Sequence, residues 1–131
     1  MTEPPHAAPP HLPHPEERDL IYDWNVGEEP AARPPRRVQV VDETLRDGLQ
    51  SPSVADPPIE DKLKALHYQA AMGVHGNDIG LPGAGPRAHE AALALAREIV
   101  SAKLAIEPYC AARTHKNDID PIIDITQKTG L

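Results

Sequence analysis

The sequence predicts an α/β fold: a parallel sheet, either open or closed into a barrel, with helices packed on it. Two observations carry that prediction. From residue 38 the chain repeats a strand-like run, a loop and a helix-like segment three times, in units of roughly 30 residues. Glycine, proline and charged residues collect just after each strand-like run, where parallel α/β folds place their chemistry.

Residues 1–37 stand outside the repeat. Nine of the sixteen prolines fall before residue 37, with His6, His11 and His14 among them. So little apolar surface cannot offset the entropy of ordering, and the segment is expected to be a flexible, extended arm. Its histidines read either as a solvated tail or as a metal-binding tract. The apolar patch Leu20, Ile21, Tyr22 and Trp24 could dock on the following domain or stay mobile.

The first unit opens with Val38, Gln39, Val40 and Val41, a β-branched run and the best strand signal in the chain. After a loop rich in Ser, Asp and Pro, Ile59, Leu63, Leu66 and Ala70 recur at helical spacing on one face. Asp56 is the expected cap, Pro57 or Pro58 the first turn, and Gly73 the stop. The second unit has a weak strand over residues 74–79 and a Gly/Pro loop over 80–86. A helix follows from about residue 87 to 101, with Leu95 and Ile99 on its inner face and Ala88, Ala91 and Ala92 beside them. The third has a strand from Leu104 to Ala112 and a loop with Arg113 and His115. Its helix is capped by Asp118, contains Ile119, Ile122, Ile123 and Thr126, and stops at Gly130. Pro121 is expected in the first turn of that helix, where it is tolerated.

Composition removes several function classes. The chain has 131 residues, one cysteine, no phenylalanine and a net charge of −7. Such a surface repels phosphate backbones, so nucleic acid is not expected as a partner. A lone Cys110 cannot build a disulfide framework or a thiolate zinc site. No apolar run approaches ~20 residues, and the N-terminus lacks a secretory pattern, so a cytoplasmic protein without a membrane partner is expected.

The chemistry concentrates at residues 42–50. Arg46 and Asp47 at a strand end set a cation beside a carboxylate, and Gly48 would allow a sharp turn. The carboxylate can ligate a hard divalent cation. The guanidinium can donate a forked pair of hydrogen bonds to an oxyanion. Together they could hold a 2-oxo acid and stabilise charge growing on its carbonyl oxygen. Read alone, Arg46-Asp47-Gly48 is equally an ordinary exposed turn.

The whole stretch Asp42-Glu43-Thr44-Leu45-Arg46-Asp47-Gly48-Leu49-Gln50 resembles the first-strand signature of the DRE-TIM metallolyases, the pyruvate carboxyltransferase domain family of 2-isopropylmalate, homocitrate and citramalate synthases and 3-hydroxy-3-methylglutaryl-CoA lyase. Asn77-Asp78-Ile79-Gly80-Leu81-Pro82 is similar to the family's second-strand motif, with Asp78 where Glu is usual. Ala111-Ala112-Arg113 with Asn117-Asp118-Ile119-Asp120 is similar to its third-strand segment.

The resemblance implies that residues 38–131 are the first three βα units of a TIM (β/α)8 barrel, incomplete because such barrels take about 250 residues. It implies Asp47 as a ligand of a divalent cation (Mg²⁺, Mn²⁺ or Zn²⁺), and Arg46 as the catalytic residue stabilising an enolate or alkoxide oxygen. Gln50, Asp78 and Arg113 are implied as substrate-binding residues. Arg113 could equally be a structural ion pair with Asp118 or Asp120. The family's His-x-His metal pair has no counterpart. His67, His75, His89 and His115 match no family ligand, and His67 and His89 read as surface histidines.

The implied reaction condenses acetyl-CoA or another acyl-CoA with a 2-oxo acid. Leu49 before Gln50 also fits the lyase form, which runs a related carbon–carbon step in reverse. The expectation is an N-terminal fragment inactive by itself. Its open sheet edges would favour association, as a homo-oligomer or as a non-catalytic interaction module.

Overall fold

The computed structural model describes residues 37–131, so the arm, its histidines and the Leu20–Trp24 patch lie outside the described residues. Three parallel strands form one sheet in the order β1 (Val41–Asp42), β2 (Gly76–Asp78) and β3 (Glu107–Tyr109). Each is followed by a helix: α1 (Ile59–Ala71), α2 (Pro86–Ser101) and α3 (Lys116–Thr129). This is the α/β order read from the repeat, as an open sheet of described residues. The register sets Val41 and Asp42 against Gly76 and Asn77, and Gly76, Asn77 and Asp78 against Glu107, Pro108 and Tyr109.

The strands are shorter than expected. The run from Val38 yields regular strand only at Val41–Asp42, although the carbonyl of Val40 still accepts from the amides of His75 and Gly76. β1 has a partner on one side only, and Val38, Val40 and Val41 stay exposed. Strand propensity without burial does not extend a strand. On β3, Glu107 donates to His75, Tyr109 accepts from Ile79, and Ala111 donates to Gly80. Strand alternation therefore turns the nitrogen of Pro108, which has no proton to donate, toward the outer edge. An edge strand tolerates proline there.

The core lies between the sheet and the helices. Leu66 of α1, Ala92, Leu95, Ala96 and Ile99 of α2 and Ile125 of α3 meet Ile79 and Ile106 from the sheet segments. The expected faces of α1 and α2 are the buried ones, with Ile59, Leu63 and Ala70 packed partly against the cluster. On α3 the inward positions are Ile122 and Ile125, while Ile119 and Ile123 face water. Gly73 and Gly130 close α1 and α3 with φ of +82° and +78°, the left-handed conformation that glycine adopts cheaply.

Three local expectations are corrected. Asp56 does not cap α1. Pro58 holds the N-cap position, and the Asp56 carboxylate is drawn instead to two cations, Lys62 at 2.6 Å and Arg87 at 2.7 Å. Asp118 does not cap α3. The Nδ1 of His115 accepts from the Asn117 amide, and the helix starts two residues before Asp118. The same early start moves Pro121 out of the first turn and into the helix body.

Gly83 sits in the 3-10 turn Pro82–Ala84, pressed against the start of α3. A Cβ there would lie 2.8 Å from the Asp118 Cα and 2.9 Å from its Oδ1. Backbone cannot swing aside, so Gly83→Ala is expected to destabilise the domain by about 1–3 kcal/mol in urea unfolding. Gly48→Ala, whose Cβ would meet nothing closer than 3.7 Å, is the matched control. Equal effects from the two would show that the Gly83 approach is not tight.

Candidate functional site

The turn after β1 is built by two oxygens. Oδ1 of Asp42 accepts the Thr44 amide at 2.8 Å, an Asx turn that starts the reversal. The Glu43 carbonyl then accepts the amides of Arg46, Asp47 and Gly48 at 3.2, 2.8 and 3.1 Å. Gly48 is not needed for this. Its φ is not positive and a side chain there would meet ordinary contacts, so the expected role of its backbone freedom is corrected.

Asp42 is itself anchored from behind. Its Oδ1 accepts from Nε2 of Gln69 at 2.6 Å, and Oε1 of Gln69 accepts from Nδ2 of Asn77 at 2.6 Å. The direction of this chain follows from its acidic end. An ionised Asp42 can only accept, so Gln69 must point its amide nitrogen there and its oxygen at Asn77. Asn77 is then left with a buried Oδ1 that has no partner. The three residues tie β1, α1 and β2 together at the base of the turn. None was singled out in the sequence for this role. The available signal was a glutamine one helical turn from Leu66 on an otherwise inward face.

The turn delivers Arg46 into a ring of carboxylates. Its Nε donates to Oδ2 of Asp78 at 2.9 Å, its Nη1 donates to Oδ1 of Asp47 at 2.8 Å, and its Nη2 pairs with Glu43. The Asp78 hydrogen bond is the main cause holding the Arg46 guanidinium charged beyond its ordinary range, with Asp47 and Glu43 adding to it. Asp78 is buried, and its Oδ1 accepts the Gly80 amide at 3.1 Å. Each Nη of Arg46 keeps one N–H uncommitted to these carboxylates, so the group can still donate to an oxygen.

Of the five expected site residues, the structure thus joins Arg46, Asp47 and Asp78. Gln50 lines a cavity of about 410 Å³ that Arg46 also borders. Arg113 is paired with Asp118: its Nε and Nη2 donate to the two carboxylate oxygens at 2.7 and 2.9 Å. Cys110 sits where the reactive thiolate is disfavoured. Burial, with Asp78 adding to it, pushes its thiol up to about 12. The four histidines among the described residues are also engaged. His67 pairs with Glu98, His89 with Asp124, His75 accepts the Val40 amide, and His115 caps α3. His89 is partly buried between α2 and α3, not the plain surface residue expected.

The residues do not by themselves fit a metal centre. Asp47 offers one oxygen not held by Arg46, both oxygens of Asp78 are bonded, and Glu43 is paired. Among the described residues, no group of three or more His, Cys, Asp or Glu could hold an ion. Nor is any helix among them long and apolar enough to cross a membrane.

No protein-family model and no solved structure matches the chain. Curated proteins do. It is 37% identical over 90 residues to a probable 2-isopropylmalate synthase of Ignicoccus hospitalis, covering 69% of this chain and 21% of that one. It is 36% identical over 90 residues to the homocitrate synthase AksA of Methanopyrus kandleri, with the same coverage. A putative (R)-citramalate synthase, CimA, of Methanopyrus kandleri is 36% identical over 93 residues, 71% of this chain and 17% of that protein. The chain therefore spans about a fifth of the length of the curated relatives it matches, and over two thirds of its own length it is similar to 2-isopropylmalate, homocitrate and citramalate synthases.

Proposed function

We propose that residues 38–131 are the first three βα units of a TIM (β/α)8 barrel that condenses an acyl-CoA with a 2-oxo acid. The observation that carries this reading is Arg46, fixed between Asp47 and Asp78 at the C-terminal ends of β1 and β2, in a chain similar to synthases. In the reaction, loss of a methyl proton from acetyl-CoA gives an enolate. The enolate carbon bonds to the ketone carbon of the 2-oxo acid, and the carbonyl electron pair moves to oxygen. Water then cleaves the thioester and CoA leaves. The task of Arg46 is to donate its free N–H groups to that oxygen as it gains charge. Asp78 holds the guanidinium in place, and Gln50 contributes a neutral donor or acceptor to the pocket. Of the described site residues, only Asp47 keeps an oxygen free to ligate a divalent cation. The relatives named above are synthases, which supports condensation over the lyase direction.

The test is a chimera in which residues 38–131 replace the matching segment of the Ignicoccus hospitalis relative, assayed by CoA release with a panel of 2-oxo acids. Turnover is expected in the chimera and not in the 131-residue chain alone. Arg46→Ala in the chimera should lower kcat about 10²–10³-fold, the usual loss for an oxyanion donor. A folded chimera whose turnover survives Arg46→Ala would refute the assignment.

A further inference from the structure

We propose that the cavity beside the turn is a binding site for a small aliphatic monocarboxylate, its anion on Lys62 and its hydrocarbon body against Leu45, Leu49, Ile79 and Leu95. At about 410 Å³ the cavity is within the range of small-molecule pockets. Its floor is apolar, drawn from the turn after β1, the end of β2 and the inner face of α2. One end is not. Lys62 lines it and is only 8% exposed, deep for an ammonium group. Its partner Asp56 is shared with Arg87, so one carboxylate serves two cations and the end keeps a single positive charge in excess. An ammonium has three N–H donors, and Asp56 engages the group through one oxygen.

Charge also fixes the orientation. Arg46 borders the cavity too, but Glu43, Asp47 and Asp78 already match its charge, so it offers an incoming anion N–H donors and no surplus charge. The surplus at Lys62 and Arg87 attracts it instead. A single excess charge suits a carboxylate better than a doubly charged phosphate. The leucine and isoleucine walls suit a flexible alkyl body. Arg87 is largely exposed and Asp56 is exposed as well, which opens the charged end to solvent and provides the way in. This site goes beyond the condensing reading. Arg46 and Gln50 border the same cavity, but Lys62 and Arg87 have no part in that reaction, so the carboxylate contact does not depend on that reading.

The experiment is an amide-shift titration of the isotope-labelled chain with butanoate, hexanoate, octanoate, 1-hexanol and hexylammonium. Hexanoate should give saturable shifts at residues 45–50, 79–81 and 87–95, with a Kd of about 1 mM or tighter. Hexanol should bind about tenfold more weakly for want of the charge-assisted bond, and hexylammonium should not bind. Lys62→Met keeps the alkyl stem and should bring hexanoate down to the affinity of hexanol. Should that variant fail to fold, Arg87→Gln at the exposed rim should weaken hexanoate several-fold and leave hexanol unchanged. Equal binding of hexanoate and hexanol, shifts that map to Glu107–Tyr109, or no saturable shift by about 10 mM would each overturn the proposal.

Discussion

Leu66→Ala should lower the unfolding free energy by about 2–5 kcal/mol, the range for a leucine deleted from a packed interior. Leu66 is the fully buried centre of α1, in the cluster that joins α1 to Ile79 and to Ala92, Leu95 and Ile99 of α2. The loss is severe because the reserve is small. A domain of this size holds about 5–15 kcal/mol. The described sheet has three strands, so it lacks the burial that further strands would give its edges. A midpoint fall of about 10–30 °C follows in thermal unfolding. Tyr68→Ala, two residues away and 68% exposed, should stay within about 0.5 kcal/mol of the parent. If the two variants unfold alike, the interior is not packed as described, and the positions of Arg46 and Asp78 that depend on it would be in question.

The parts of this fold that sequence made legible are those set by periodicity. Leu66, Leu95 and Ile99 are inward because a 3.6-residue repeat leaves them no other common face. Gly73 and Gly130 end helices because few other residues adopt their φ at low cost. What was not legible depends on contacts between distant residues. Asp56 has the composition of a cap, yet Arg87, 31 positions on, supplies a cation that backbone amides cannot match. Asp118 also has the identity of a cap, but its partner is the Arg113 side chain only five residues back, one of the two local ion pairs the sequence left open. The Asp42–Gln69–Asn77 chain spans three elements and carries no local pattern. The site was legible in a different way. Arg46 and Asp47 are neighbours in sequence, so the turn alone brings them together. Asp78 joins them only because β1 and β2 pair in parallel, and that pairing was part of the expected fold.

Asp118→Asn should cost stability at neutral pH and nothing at very low pH, and that difference isolates the ion pair. Asp118 is 1% exposed and accepts from Arg113 three times, through Nε, Nη2 and the backbone amide at 3.1 Å. The Arg113 side-chain hydrogen bonds are the main cause, the backbone bond the next, that holds the Asp118 carboxyl down at about 2 against an ordinary 3.8, while burial pushes the other way. The folded state therefore binds this proton less readily than the unfolded chain. The stabilisation is complete above the ordinary value and is lost as pH falls through the depressed one, between about pH 4 and pH 2. Asparagine keeps an acceptor and the shape but not the charge. In urea unfolding, the parent should exceed the variant at pH 7, and the gap should close across that window and vanish below it. Asp56, held down chiefly by Lys62, and Asp124, held down chiefly by Lys128, still titrate in the variant, so its acid limb flattens without disappearing. Arg113 is 81% exposed on its side chain, so losing its partner returns its charge to water without stranding it. The cost therefore falls mainly on the Arg113 backbone amide and on the seam where Gly83 meets α3. A gap between parent and variant that stays constant from pH 7 to pH 2 would mean that Asp118 acts by shape alone. The pairing of Arg113 would then have to be reconsidered.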